Sequence, residues 1–321
     1  MQNWQTGRPK MPTTQPGLAT GATTPRRGAA LDHAGRPLRL RSIGHLISGG
    51  ALAGRVHSVF ARAANLQVPG RLLTLGGTDD GPLTLRLLPG QVADLRELFV
   101  AGDAVSPRDG MLHVGDAVVL LGGTPRWLPA RPQAPHPGRP DAGAAARLAL
   151  AQRRLEQHQA HGPRSVLAGV GAARLMSALH QALADPAPLA AAAQMDALVG
   201  WGEGLTPAGD DLLVGLLAGL DACPTTEPRR MQCRTALGER IAALLWQTTP
   251  WAAQALRLAL GGHHGAALLQ AREAVLAASA TEPLESAVAR LLDIGATSGA
   301  DSLTGLLLGL AAWWIPQPGE A

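Results

Sequence analysis

Two segments of this chain set acids and hydroxyls among glycines directly ahead of an apolar run: "GWGEGLTPAGDDLLVGLLAGL" (200–220) and, ninety residues on, "GATSGADSLTGLLLGL" (295–310). Aligned on the aspartate, Asp211 matches Asp301, Gly215 matches Gly305 and Gly219 matches Gly309. An aspartate at the N-cap or in the first turn of a helix can accept orphan N–H bonds and oppose the positive helix end. Asp210 and Asp211 cannot both cap one helix, so one carboxylate is left to act on something else. Asp210, Asp211 and Asp301 are therefore the candidate catalytic carboxylates. The turn amides at Gly204, Gly209 and Gly299, with the hydroxyls of Thr206, Thr297 and Ser298, could cradle an anion. Asp210 and Asp211 together with Glu203 could instead hold a divalent cation such as Mg2+, although the motif offers only oxygens and no histidine.

The glycines have a second explanation, compatible with the first. Those four and eight residues after each aspartate share one helical face, and each interior glycine costs roughly 1 kcal/mol relative to alanine. A close crossing of the two helices would offset that loss.

Two further patches carry polar groups. In "GRVHSVFARAANL", Arg55 and His57 share a strand face, with Ser58 beside them and Asn65 just beyond. They could meet a carboxylate or phosphate, or simply be a solvated face. "QTTPW" (247–251) opens a helix with Thr248 or Thr249 as its cap, and Thr249 joins the ligand-binding candidates. His263 and His264 follow a Gly-Gly break and fit C-terminal capping. An anionic substrate that needs both the Arg/His set and the acid, hydroxyl and amide set would sit in a crevice between two domains.

Composition narrows the chemistry. Lys10 is the only lysine, which excludes a Schiff-base lysine in the fold and a Walker-type phosphate loop, and there is no tyrosine. Cys223 and Cys233, ten residues apart with no histidine between, match no common zinc or redox spacing and fit a reducing compartment. The net charge of +4 belongs to residues 1–42, which carry +6, leaving −2 for the rest. The basic balance therefore argues against nucleic acid as a partner of the folded part. The longest nearly apolar stretch, 303–315, falls about five residues short of a membrane span. No membrane partner and a cytoplasmic location are expected.

The elements that must position these residues fall into two textures. Residues 1–42, rich in Gly, Pro, Thr and Arg without apolar period, are expected to be a disordered basic leader. From 43 to 128, short strand-like runs punctuated by "PG", "DDG", "RDG" and "GD" predict a small, mainly antiparallel β domain, a barrel or a sandwich, with one helix possible in "GQVADLRELFVAG". Residues 129–143 form a proline-rich linker. From 144 to 316, alanine and leucine at helical spacing predict a compact all-α domain that holds both Gly/Thr-turn-Asp-helix motifs. The fold class is α+β.

Together "GRVHSVFARAANL", "GWGEGLTPAGDDLLVG", "TTP" and "GATSGADSLTG" resemble an uncharacterised-domain family that includes AllH, a subunit of the oxamate carbamoyltransferase of anaerobic allantoin catabolism. The resemblance covers about 43–315 and implies a subunit acting beside two others, one of them acyl-CoA-synthetase-like. It also implies a small anionic substrate, in an assembly handling oxamate, carbamoyl phosphate and oxalurate. After "TTP" the family often has a small or polar residue, where this chain has Trp251 and Ala252. Carbamoyl transfer needs a stabilised phosphate leaving group and oxyanion more than a covalent nucleophile, which suits a chain whose only lysine, Lys10, lies in the expected leader. Two other functions are compatible with the residues: a non-catalytic scaffold or effector-binding subunit, and a stand-alone Mg-dependent hydrolase or ligase.

Overall fold

A computed structural model describes residues 37–48, 52–129, 143–223, 226–277 and 283–314. Most of the expected leader and linker lies outside them. The first described element is nevertheless a strand, β1 (Leu38–Gly44), inside the stretch expected to be leader. Leu38 and Leu40 are buried while Arg39 and Arg41 are exposed. That alternation is too short to stand out in an Arg- and Pro-rich context.

The strands β2 (Gly54–Val59), β3 (Ala63–Val68), β4 (Arg71–Gly76), β5 (Thr84–Leu87), β6 (Ala104–Arg108), β7 (Met111–Val114) and β8 (Ala117–Leu120) follow, then a short β9 (Arg126–Trp127). The pairing order β5-β4-β3-β2-β6-β7-β8-β1 closes through β1–β5, so the domain is a barrel, with β9 attached to β1. Its sheet is mixed rather than mainly antiparallel: β1 runs parallel to β8 and β9, and β4 runs parallel to β5. For β1 the reason is closure. β1 is wedged between strands far away in sequence, and hairpin signals report only neighbouring strands. Leu66, Leu73, Leu75, Leu85 and Leu112 fill the interior and are wholly buried. "GQVADLRELFVAG" yields only a single 3-10 turn, Leu95–Glu97, capped by Asp94.

The helices are α1 (Ala144–His161), α2 (Val170–Ala184), α3 (Pro188–Ala193), α4 (Met195–Leu198), α5 (Ala208–Asp221), α6 (Pro228–Leu244), α7 (Pro250–Leu260), α8 (Ala266–Leu276), α9 (Leu284–Leu292) and α10 (Ser298–Trp313). α5 and α10 are apolar on nearly all sides and sit at the centre, as all-round hydrophobicity requires. One core layer packs α2, α4, α6 and α7 around Leu212, Leu213 and Leu216; the other packs α1, α8 and α9 around Leu303, Leu306 and Leu310.

The barrel docks on the helices through polar contacts. Gln254 of α7 donates to the Leu72 carbonyl and accepts from the Leu72 N–H, both at 2.7 Å, continuing the edge of β4 as a strand would. Asp79 accepts from the Ala267 N–H at the start of α8. Burial pushes the Asp79 carboxyl up to about 6, against the opposing backbone N–H bonds. Arg62, at the tip of the β2–β3 hairpin, pairs with Asp293 at 2.8 Å. The N–H of His263 donates to the Leu258 carbonyl and, with the Gly261 and Gly262 amides, caps the end of α7, while its ring lies tilted against His45 across the same junction.

Candidate functional site

Each motif begins where a short turn feeds a buried helix. Gly200 (φ +75°) and Gly295 (φ +63°) take left-handed conformations as the chain leaves α4 and α9. Inside the helices the glycines meet backbone. A Cβ on Gly215 would lie 1.8 Å from the Ser302 carbonyl oxygen, and one on Gly305 would lie 1.9 Å from that of Leu212. Ser302 and Leu212 occupy matching positions of the two motifs, so the contact is reciprocal, as about a local two-fold axis. Gly209 and Gly299 repeat the relation against the preceding helices, at 2.0 Å from the Leu198 carbonyl oxygen and 1.9 Å from that of Leu291.

This crossing brings the first turns of α5 and α10 together. The Thr206 and Ser298 hydroxyls bond across the two motifs at 3.0 Å. Asp210 and Asp211 are the third and fourth residues of α5, and Asp301 is the fourth of α10. None of them caps its helix. The amides they might have served already have backbone acceptors: Gly209 N–H donates to Trp201, Asp210 N–H to Pro207 and Gly299 N–H to Ile294. The carboxylates are thereby left to other partners, and all three are buried, at 1% exposed for Asp210, 9% for Asp211 and 0% for Asp301.

Their surroundings differ. Asp210 accepts from the Gly200 N–H at 3.0 Å through one oxygen and from the Thr248 hydroxyl through the other. Burial still raises its pKa, with those two bonds opposing. By contrast, Asp211 Oδ2 and both oxygens of Asp301 are buried without a hydrogen-bond partner among the described residues. Burial pushes Asp211 up to about 8; the Ser298 and Thr206 hydroxyls oppose the rise, and the Asp301 and Asp210 charges add to it. Asp301 is raised too, by burial first, while the nearby Ser165 and Thr297 hydroxyls ease its charge without completing a hydrogen bond. At neutral pH Asp211 is thus mostly a carboxylic acid, which donates through O–H as well as accepting.

The remaining sequence candidates are dispersed. Glu203 is exposed, as is Gly204, and Asp210 has spent both oxygens. Among the described residues no three His, Cys, Asp or Glu side chains are grouped to hold a metal ion. The Mg2+ arrangement of Glu203, Asp210 and Asp211 is therefore not formed. The Thr249 hydroxyl caps α7 through the Ala252 N–H and donates to the Leu205 carbonyl, so it braces the first motif. In the barrel, Asn65 donates to the Ser58 hydroxyl at 3.0 Å, and His57 meets the same hydroxyl at 3.2 Å. Ser58 and Asn65 are paired near the hairpin tip that reaches Asp293, shortly before α10. Arg55 is exposed at the other end of β2, where its strand neighbours are Gln67 and Ala104. Thr248 and Ser165 were not among the sequence candidates as carboxylate neighbours. Only "TTP" drew attention to Thr248, as a cap.

No helix among the described residues is long and apolar enough to cross a membrane. Comparison with known proteins gives two family matches: the AllH family N-terminal domain over residues 36–125, and oxamate carbamoyltransferase subunit AllH over residues 198–310. No curated protein and no solved structure matches the chain. The first match spans the barrel and the second runs from the turn before α5 to Leu310 in α10, so the chain belongs to the AllH family of oxamate carbamoyltransferase subunits.

Proposed function

We propose that this chain acts in an oxamate carbamoyltransferase-like complex, and that it holds a small carboxylated amide at the joined starts of α5 and α10. The observation that carries this is the pair Asp211 and Asp301, two buried carboxyl groups with oxygens left unbonded in an interior where nearly every polar group finds a partner. In such a complex a carbamoyl group passes between carbamoyl phosphate and oxamate, in either direction, beside partner subunits. A neutral Asp211 removes the repulsion that two charged aspartates would exert on an anion. Thr206, Thr297 and Ser298 offer hydroxyls around it. Ser58 and Asn65 on the hairpin, and Arg55 further along β2, are proposed to meet the substrate's carboxylate or phosphate from the barrel side.

Phosphate release from carbamoyl phosphate, measured with and without oxamate, tests this on the chain alone and with its partner subunits. Oxamate-dependent release is expected only in the assembled complex. There Asp211→Asn should lower turnover by roughly 100-fold or more with the fold intact. A scaffold whose turns serve only helix packing would lose no turnover in that variant, and that result would overturn the proposal.

A further inference from the structure

Resting on the function proposed above, we infer that Asp211 and Asp301 accept the two N–H bonds of a primary carboxamide, the group through which oxamate reacts. Three of the pair's four oxygens lack partners while the residues themselves are at least nine-tenths buried, so the acids are aimed at something other than the protein. They occupy equivalent positions in the two motifs, related by the reciprocal glycine crossing. A carboxamide NH2 group has a matching local symmetry, with two donors diverging from one nitrogen. It is uncharged, so it places no second anion against the pair. No third acid or imidazole is grouped with the pair among the described residues, so the protein offers no complete cation cage there. A phosphate would meet acceptors where it needs donors.

This placement gives the pair a part in the reaction. The carboxamide nitrogen bonds to the carbamoyl carbon of carbamoyl phosphate while the bond from that carbon to the bridging phosphate oxygen breaks. One N–H proton passes to the acid pair and on to the departing phosphate. Oxamate and carbamoyl phosphate become oxalurate and hydrogen phosphate, with no proton left over.

The test is equilibrium binding of oxamate, N,N-dimethyloxamate and oxalate to the full chain assembled with its partner subunits, for the wild type and for Asp211→Asn and Asp301→Asn. Oxamate should bind at least about 10-fold more tightly than either analogue, since one lacks the N–H bonds and the other substitutes a charge. Each asparagine variant should lose at least about 10-fold in oxamate affinity with its melting temperature preserved. The wild-type ligand series decides the matter even if a variant fails to fold. Equal binding of the three ligands, or unchanged oxamate affinity in folded variants, would overturn the carboxamide assignment. If the wild-type complex still released phosphate in response to oxamate, and Asp211→Asn lowered that release, the proposed function would stand in either case. Complete absence of that release in the assembled complex would remove both.

Discussion

At the start of α5 two aspartates stand side by side, whereas at the start of α10 the matching positions are Ala300 and Asp301. The extra acid, Asp210, has both oxygens bonded and ties the Gly200 turn to Thr248. Asp211 and Asp301, the acids common to both halves, are the ones left with unbonded oxygens. The contrast separates two uses of one residue type in adjacent positions. Asp210 is a strut that fixes where α5 begins. The shared pair leaves three of its four oxygens unbonded, and burying it opposes stability.

The comparison presupposes that the two helix starts are held in contact, and the largest expected effect comes from forcing them apart. Gly215→Ala or Gly305→Ala should each destabilise by roughly 3 kcal/mol or more, at the upper end of overpacking losses, because the atom met is backbone and cannot swing away. Gly238→Ala is the control: its nearest neighbour is the Arg234 guanidinium at 3.3 Å, and helix propensity should make the change neutral or stabilising by up to about 1 kcal/mol. Urea denaturation of the three variants measures this. Comparable losses in all three would show that general packing, not the crossing, sets the outcome.

The next effect is electrostatic. Asp211 is raised from 3.8 to about 8, so the folded state holds a proton that the unfolded state gives up. Its contribution is fully favourable below about pH 3.8, is lost as pH rises, and levels off above about pH 8. Asp79 acts in the same sense but levels off near pH 6. Between pH 6 and 8, wild-type stability should therefore fall by up to about 1.4 kcal/mol per pH unit on account of Asp211. Asp211→Asn should flatten that slope and be more stable than wild type at pH 8. An unchanged slope in chemical denaturation across this range would mean that Asp211 is ionised in the fold.

Removing the strut is smaller again. Asp210→Ala leaves the Gly200 N–H and the Thr248 hydroxyl without their acceptor and should cost about 2 kcal/mol, read as a lower denaturation midpoint. Smallest is Arg62→Ala. The Arg62–Asp293 pair is more than half exposed on both sides, so solvent screening should keep its loss below about 0.5 kcal/mol.

Much of the helical half is legible because its signals are local. Alanine and leucine spacing marks α1 at both of its ends, and the alignment of Asp211 with Asp301 finds two helix starts that do come together. The barrel's closure is not legible, since β1 pairs with β5, β8 and β9, none of them adjacent to it in sequence. Nor is the state of the aspartates. That they would not cap depended on whether the first-turn amides could find backbone carbonyls, which is settled by the path of the preceding turns. The partner of Asp210 at Thr248 lies 38 residues on, and the hydroxyl of Ser165 reaches Asp301 from an element far upstream. A sequence shows which side chains are capable of chemistry more readily than which of them are already engaged.

The crossing of α5 and α10 also determines what drift the molecule can tolerate. With glycine on each helix facing carbonyl oxygens of the other, the gap between the helices is gauged by main chain, which is the same whatever the sequence around it. Exchanges among the surrounding leucines, such as Leu213 or Leu307, can alter how firmly the domain holds together while the spacing of Asp211 and Asp301 stays put. Stability and the spacing of the two acids are in this way uncoupled, and the hydrophobic shell is free to vary around a fixed interval.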